Sequence, residues 1–161
     1  MKFLIINGPN LNMLGIRNPE IYGNKTYENL CEFIKNNKKD NWEIKFFQSN
    51  GEKEIIDVIQ NSYKDVDGFV INPGAFTHYS YALHDAIDSV SKPFVEVHIS
   101  NIYKREEFRQ KSVTAPACIG QISGLGFNGY TLALEALENY LKEKERSEEH
   151  TSELQSPSWI S

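Results

Sequence analysis

The stretch PFVEVHISN, at residues 93–101, predicts a buried β-strand that ends in polar residues. Its phenylalanine, valine and isoleucine side chains favour strands. Because side chains alternate along a strand, Glu96 and His98 point to the same side. A carboxylate there can orient the imidazole and favour its charged form. The polar residues come at the carboxyl end of the strand, where open α/β sheets bind ligands. A solvated edge strand with an incidental Glu and His fits the same pattern, so the rest of the chain must decide.

Short apolar runs alternate with amphipathic helices along the whole chain. The predicted strands cover residues 2–7, 42–47, 68–72, 93–101 and 118–123. The predicted helices begin after an N-cap at Thr26, after a capping box at Ser49 and Glu52, near Tyr79 and near Tyr130. This alternation predicts βαβ units and a parallel sheet. We therefore expect an α/β fold, a flavodoxin-like three-layer sandwich with a five-stranded parallel sheet in the order 2-1-3-4-5.

The composition is that of one soluble globular domain. The chain has 161 residues, 40% of them hydrophobic, and a formal net charge of −5. A negative charge without any Lys/Arg-rich run argues against a nucleic-acid surface. Cys31 and Cys118 lack metal-type spacing and predict free thiols in a reducing compartment. The first apolar run is too short for a signal peptide or a membrane span. We therefore expect a cytoplasmic protein.

The last residues break the helical pattern. Residues 146–161 are polar, rich in Ser and Glu, and without a hydrophobic period. Such a segment buries too little apolar surface to stay ordered, so we expect disorder from Arg146 onward. It also resembles the translated sequencing-adapter read-through that contaminates some gene sequences. We therefore expect the functional domain to cover residues 1–145 and residues 146–161 to be a non-native tail.

Polar residues follow the first, third and fourth predicted strands, which are neighbours in the predicted sheet. We expect one cleft to collect Asn10, Arg17, Tyr22, Asn72, His78, His98 and Ser100. Glycines bracket residues 15–23, which favours a hinged lid. A nearby cation favours the ionised form of a phenol, so Arg17 beside Tyr22 would make a general base near neutral pH.

Each of these residues also has an interpretation without a catalytic role. His98 can be structural, and His78 can cap the following helix. Tyr22 can be a packing aromatic and Arg17 a solvated cation. Arg109 can bind an anion or simply lie on the surface. The prediction therefore rests on convergence from separate loops.

Motifs for metal, nucleotide or lysine chemistry give little support to other reactions. The histidines lack metal-ligand spacing, no Walker A motif is present, and no lysine lies in an apolar strand pattern that suits a Schiff base. Residues 124–129 (GLGFNG) do match G-x-G-x-x-G. A dinucleotide fold would open a further βαβ unit there, and only one helix follows. The motif favours a tight turn with close helix–sheet packing, with a nucleotide-binding module as the alternative.

Short polar segments form one ordered pattern over about residues 1–143. They are 7–12 (NGPNLN), 15–23 (GIRNPEIYG), 71–78 (INPGAFTH), 82–86 (ALHDA), 96–101 (EVHISN), 105–109 (REEFR) and 120–124 (GQISG). In order and spacing they resemble type II 3-dehydroquinate dehydratases. Phe76 and Tyr79 depart from that pattern, which has a tyrosine and a small polar residue there, and neither is a catalytic position. The tail has no counterpart, so residues 1–145 are expected to be a dehydroquinase-like catalytic domain.

The resemblance implies a lyase of the shikimate pathway that dehydrates 3-dehydroquinate to 3-dehydroshikimate. The elimination would be anti and pass through an enolate, without a Schiff base. Tyr22 matches the base that removes the proton beside the ketone, and Arg17 matches the lid arginine that favours the phenolate. Asn10 matches the residue that positions a water at the enolate. His98 matches the acid that protonates the departing hydroxyl, with Glu96 behind it as the group that orients the ring.

The resemblance also implies the substrate contacts. Asn72, Ile99 and Ser100 match the residues that hold the substrate carboxylate. His78 and Arg109 match those that contact the ring hydroxyls.

The remaining implications concern partners. Asp85 matches a position that reaches the substrate or the site of a neighbouring subunit. The family needs neither metal nor cofactor and assembles as dodecamers built of trimers. We therefore expect no cofactor, a homo-oligomer, and no nucleic-acid or membrane partner. A lyase or hydrolase for another hydroxylated cyclic acid would use the same residues and stays open as an alternative.

Overall fold

The sheet is parallel and has the predicted strand order. The computed structural model describes residues 1–16, 20 and 24–155. Its strands are β1 (Lys2–Asn7), β2 (Glu43–Gln48), β3 (Gly68–Asn72), β4 (Phe94–His98) and β5 (Gly120–Ser123). They lie in the order β2-β1-β3-β4-β5, and all neighbours pair in parallel. Every strand therefore ends at the same edge of the sheet, and the predicted flavodoxin-like order is confirmed.

Four α-helices of the described chain connect or follow the strands. They are α1 (Tyr27–Asn37), α2 (Glu52–Ser62), α3 (Tyr81–Ser89) and α4 (Asn128–Gln155). Short 3-10 turns lie at Leu11–Met13, Gly74–His78, Ile102–Lys104, Glu107–Arg109 and Ala115–Ala117. No helix in the described part of the chain combines the length and apolar composition that crossing a membrane requires.

Alternation along the strands produces two hydrophobic cores, one on each face of the sheet. Phe3 and Ile5 of β1 pack with α1 and α4, whereas Leu4 and Ile6 pack with α2 and α3. These four side chains are at most 5% exposed. Burial of each such side chain contributes roughly 1.5–3 kcal/mol, so both helical layers are held by β1. The result is the expected three-layer sandwich.

The helix starts confirm one predicted cap and contradict another. Thr26 Oγ1 accepts a hydrogen bond from Asn29 N at 3.1 Å, and Asn29 Oδ1 accepts from Thr26 N at 2.9 Å. This reciprocal pair is a capping box and confirms the start of α1. The predicted box at Ser49 and Glu52 is wrong. Gly51 is the N-cap of α2, and Ser49 Oγ accepts from Gly51 N at 3.0 Å instead.

Helix α3 and strand β5 begin later than predicted. Gly74–His78 forms a 3-10 turn, and Ser80 Oγ then caps α3 by accepting from Leu83 N at 3.0 Å. His78 is therefore not the cap of this helix. Before β5, the chain makes the Ala115–Ala117 turn, which contains a proline and delays entry into the strand.

The end of α4 requires a correction. Disorder was expected from Arg146, but the structure continues the helix through Gln155, and residues 156–161 lie outside the described part. The glutamate, lysine and arginine residues around position 146 are good helix formers, and extending an existing helix needs no new nucleus. The described side chains from 143 to 151 are all exposed, so this extension adds nothing to the core.

A buried carboxylate joins α4 to the start of β2. Glu138 is 1% exposed, and it accepts hydrogen bonds from Lys39 Nζ at 2.6 Å and from Trp42 Nε1 at 2.8 Å. The bond from Lys39, followed by that from Trp42, lowers the pKa of Glu138 to about 2. An acid whose pKa is lower in the folded state stabilises the fold above its unfolded pKa. That contribution is lost as the pH falls through the folded value.

Replacing this carboxylate tests the pH dependence. Glu138→Gln should lower the free energy of unfolding at pH 7 by about 1 kcal/mol, because a charged acceptor makes a stronger hydrogen bond than a neutral amide. The difference from the parent should shrink as the pH falls from 4.5 toward about 2, where Glu138 itself becomes protonated. Urea unfolding at each pH measures this, with Glu143→Gln on the exposed face of α4 as the matched control. If the loss of unfolding free energy in Glu138→Gln were the same at both ends of the pH range, the lowered pKa of Glu138 would be contradicted.

Candidate active site

A cleft lies at the carboxyl edge of the sheet, where the loops after β1, β3 and β4 meet. Among the predicted site residues it is lined by Asn10, Asn72, His78, His98, Ile99, Ser100 and Arg109. Arg105 lines it as well, and Leu11, Leu14 and Ile102 supply apolar wall. The fold thus brings these residues together, as parallel strands ending at one edge require.

The other predicted site residues lie elsewhere. Glu96 is fully buried in β4, beneath the cleft. Asp85 is exposed on α3 and is not among the residues that line the cleft. Tyr22 and Arg17 lie outside the described residues.

A close approach of two loops forms one wall of the cleft. Gly8 N donates to Asn72 O at 2.7 Å, and a Cβ at Gly8 would lie 2.4 Å from Pro73 O. Only glycine therefore lets the chain after β1 pack against the chain after β3. Asn10 follows in the left-handed region at φ 70°, which asparagine tolerates better than most residues, and its backbone N donates to Asn50 Oδ1 at 2.9 Å.

His98 and Glu96 form a hydrogen-bonded pair at the floor of the cleft. His98 is 6% exposed, and its Nε2 lies 2.8 Å from Glu96 Oε2. A carboxylate accepts hydrogen bonds, so Nε2 carries the hydrogen and the ring orientation is fixed. Nδ1 is then the nitrogen available to a ligand in the cleft. In the imidazolium form both nitrogens carry protons, and the pair can deliver one of them to a bound group.

A cage of hydroxyl and amide donors surrounds the Glu96 carboxylate. Oε2 accepts from Thr77 Oγ1 at 3.0 Å, from Ser112 Oγ at 2.8 Å and from Gln121 Nε2 at 2.8 Å. Thr114 Oγ1 donates to Oε1. These donors come from three separate parts of the chain. Together with His98 they satisfy the buried charge, which would otherwise be costly.

The cage determines the ionisation of Glu96. Burial by itself raises the pKa of this carboxyl. The hydrogen bond and charge of His98, with further bonds from Thr114 and Gln121, outweigh burial and hold the pKa of Glu96 below its ordinary value. Glu96 is therefore a carboxylate at neutral pH and places a negative charge beside His98.

His78 is the second histidine that lines the cleft, and its hydrogen bond differs from that of His98. Its Nδ1 lies 2.7 Å from Lys111 O, and because a carbonyl only accepts, Nδ1 carries the hydrogen. Burial lowers the pKa of His78, and the charges of His98, Arg109 and Arg105 lower it further, against the hydrogen bond to Lys111. His78 is thus neutral near pH 7, with Nε2 as an acceptor for a ligand hydroxyl.

Arg109 and Arg105 give the cleft its positive charge. Arg109 Cζ lies 4.8 Å from the centre of the Phe108 ring, and its Nε lies 3.0 Å from Glu106 Oε2. Stacking and the ion pair orient the guanidinium at the cleft. Two arginines at the cleft favour an anionic ligand, even though the whole chain carries a net charge of −5.

The glycine motif shapes this site rather than binding a nucleotide. Gly124 N donates to His98 O at 3.1 Å, and Gly126 N donates to Ile99 O at 3.0 Å. Both amides are therefore occupied and cannot cradle a phosphate. Gly124 has φ +88°, and a Cβ there would lie 2.9 Å from Asn101 Cβ. The turn thus fixes the end of β4, and with it the catalytic candidates, as the tight-turn interpretation expected.

Sequence reasoning missed the cage around Glu96. Thr77, Ser112, Thr114 and Gln121 follow no period that marks them, and only the three-dimensional fold collects them. His84 on α3 is half-buried, and its Nδ1 lies 2.7 Å from Val113 O. Within the described ranges, no group of three or more His, Cys, Asp or Glu residues is arranged to hold a metal ion.

Comparisons with known proteins agree with one another. A family model described as dehydroquinase class II matches residues 1–138. A 3-dehydroquinate dehydratase of Clostridium acetobutylicum is 62% identical over 142 residues, covering 88% of this chain and 99% of that protein. The crystal structure of a type II dehydroquinase from Butyrivibrio crossotus is similar, with 56% identity, a TM-score of 0.83, and coverage of 86% of this chain and 97% of that chain. For a type II dehydroquinase from Propionibacterium acnes, the identity is 41%, the TM-score is 0.80, and coverage is 84% and 94%.

Proposed function

The chain belongs to the class II dehydroquinase family, and we propose that it dehydrates 3-dehydroquinate to 3-dehydroshikimate in the shikimate pathway. The observation that carries the proposal is the buried, hydrogen-bonded His98–Glu96 pair at the floor of a cleft lined by two arginines. A cyclic carboxylic acid that loses water needs an anion site and a proton donor, and the cleft offers both.

In the proposed reaction, the base is Tyr22. Its phenolate, favoured by the Arg17 cation, takes the proton from the carbon beside the ketone. The electron pair of the broken C–H bond moves onto the ketone oxygen and gives an enolate. Asn10 would hold a water that donates to this oxygen, an electrostatic stabilisation of the developing charge.

The acid is His98. As the enolate collapses, the C–O bond to the leaving hydroxyl breaks, and the His98 imidazolium supplies the proton that makes the departing group water. Glu96 stays ionised and stabilises the imidazolium before the transfer. The elimination would be anti, without a Schiff base, and the phenol proton returns to His98 through solvent to restore both groups.

Substrate binding uses the rest of the cleft. Asn72 and the chain at Ile99 and Ser100 would hold the carboxylate, in keeping with their position at the ends of β3 and β4. His78 Nε2 would accept from a ring hydroxyl, and Arg109 would donate to one. The neutral state of His78 supports this role, because a protonated ring could no longer accept.

We also propose that the protein assembles as a homo-oligomer and acts in the cytoplasm. The family's dodecamer of trimers would bring a neighbouring subunit to α3, where Tyr81 and Asp85 lie on one face and are both exposed. On that face Asp85 would reach the site of a neighbouring subunit. The free thiols of Cys31 and Cys118 are consistent with the cytoplasm.

The test is a dehydration assay with 3-dehydroquinate on the full chain. Appearance of the conjugated-enone absorbance supports the proposal, and its absence at high enzyme concentration overturns it. A panel of other hydroxylated cyclic acids runs beside it. Faster turnover of another acid in the panel would show that the same residues serve a different lyase reaction.

Glu96→Gln tests the acid pair. The variant should lower kcat about tenfold, because His98 loses the negative charge beside it while the side chain at position 96 keeps nearly the same size. Glu138→Gln is the matched control, a buried carboxylate distant from the cleft, and should leave kcat at pH 7 unchanged. A folded Glu96→Gln with the parental kcat would show that Glu96 has no part in the acid step.

A further inference from the structure

A buried hydrogen-bond chain runs beneath the cleft from β1 to α4 and on to β3. Asn72 Nδ2 donates to Tyr130 Oη at 2.9 Å, and Tyr130 Oη donates to Asn7 Oδ1 at 2.6 Å. Asn7 and Tyr130 are fully buried, and Asn72 is 3% exposed. Of these three residues only Asn72 lines the cleft.

The direction of every bond in this chain follows from one backbone amide. Gly74 N donates to Asn72 Oδ1 at 3.1 Å, so the oxygen of that side-chain amide must face Gly74. Nδ2 then faces Tyr130, whose oxygen accepts, and the phenol proton goes to Asn7. Burial raises the pKa of Tyr130, which keeps it a phenol able to donate and accept at once. Asn7 Nδ2 is buried and has no hydrogen-bond partner among the described residues, which lowers the stability of the fold.

The hydrogen-bond chain leaves one hydrogen of the Asn72 side-chain amide available to a ligand. One Nδ2 hydrogen is bound by Tyr130, and the second has no acceptor in the described part of the chain. The geometry points to Tyr130 as a positioning residue for substrate binding: its hydroxyl holds the Asn72 amide with an N–H presented to the carboxylate. This inference rests on the proposed function, in which Asn72 binds the substrate carboxylate.

The kinetic signature is a change in KM without a matching change in kcat. A contact to the carboxylate is made equally in the bound substrate and the transition state, so weakening it affects binding alone. Tyr130→Phe, which removes only the hydroxyl, should raise KM for 3-dehydroquinate about tenfold while kcat stays within about threefold. Tyr140→Phe is the matched control, a half-exposed tyrosine on the same helix, and should change neither constant.

A second variant keeps the test decisive if Tyr130→Phe folds poorly. Asn7→Ala leaves the hydroxyl but removes its acceptor, and should raise KM in the same direction by a smaller factor. If Asn7 acts on Asn72 through Tyr130, the double variant should have the KM of Tyr130→Phe alone. Thermal unfolding checks each variant, since a purely structural effect would lower stability without splitting KM from kcat.

The outcomes are distinguishable. An unchanged KM in folded Tyr130→Phe, or in Asn7→Ala where the first does not fold, overturns the positioning role. Additive effects in the double variant also overturn it. A parent chain that does not turn over 3-dehydroquinate defeats the proposed function, and this inference with it, before any variant is measured.

Discussion

His98→Ala is expected to lower kcat for 3-dehydroquinate by at least about a hundredfold, the usual contribution of a positioned general acid. Hydroxide is a poor leaving group, so the elimination needs a proton at the departing oxygen. His98 is the cleft side chain best arranged to supply it, because Glu96 Oε2 lies 2.8 Å from its Nε2 and holds the ring in place. Steady-state assays at several pH values measure the loss.

Three measurements separate the acid role from a loss of structure. His150→Ala removes an exposed histidine of α4 and should leave kcat unchanged. Thermal unfolding of His98→Ala should show that the variant folds, although Glu96 loses one of its donors. Added imidazole should restore part of the turnover, since it can occupy the space the ring leaves. A folded His98→Ala with parental kcat would remove this residue from the acid role.

Much of the fold was predictable because it follows from local pattern. Alternation of apolar residues in β1 assigns Phe3 and Leu4 to opposite faces, and the helices between strands force parallel pairing. The strand order then brings the residues after β1, β3 and β4 to one edge. Errors occurred where neighbouring turns compete with helices and strands, as at Ser49 and before Tyr81.

The buried polar groups were harder to predict. Glu96 and His98 are close in sequence and share a strand face, so their pairing follows from a period of two. The positions of the donors that keep Glu96 ionised do not follow from any period in the sequence. Ser112 and Gln121 reach Glu96 only because the whole fold sets the paths of their loops. Tyr130 likewise lies in an ordinary amphipathic helix, and nothing in that pattern marks its bond to Asn72.

Tyr22→Phe is expected to lower kcat by at least about a hundredfold with little change in KM. Phenylalanine fills nearly the same space but has no oxygen to accept the proton beside the ketone, so packing is kept and base catalysis is lost. Tyr140→Phe, a half-exposed tyrosine of α4, is the matched control. A substrate carrying deuterium at the abstracted position should show a larger isotope effect in Tyr22→Phe, because proton removal becomes slower than the later steps.

The result also decides between two bases. Among the described cleft residues, His78 is the alternative, because burial lowers its pKa and leaves a neutral Nε2 that can accept a proton. If Tyr22→Phe kept the parental kcat, His78 would be the candidate base, and His78→Ala should then abolish turnover. If Tyr22 is the base, His78→Ala should instead raise KM, since it removes only an acceptor for a ring hydroxyl. The two variants therefore give opposite patterns, because the neutral imidazole and the phenolate cannot both take the same proton.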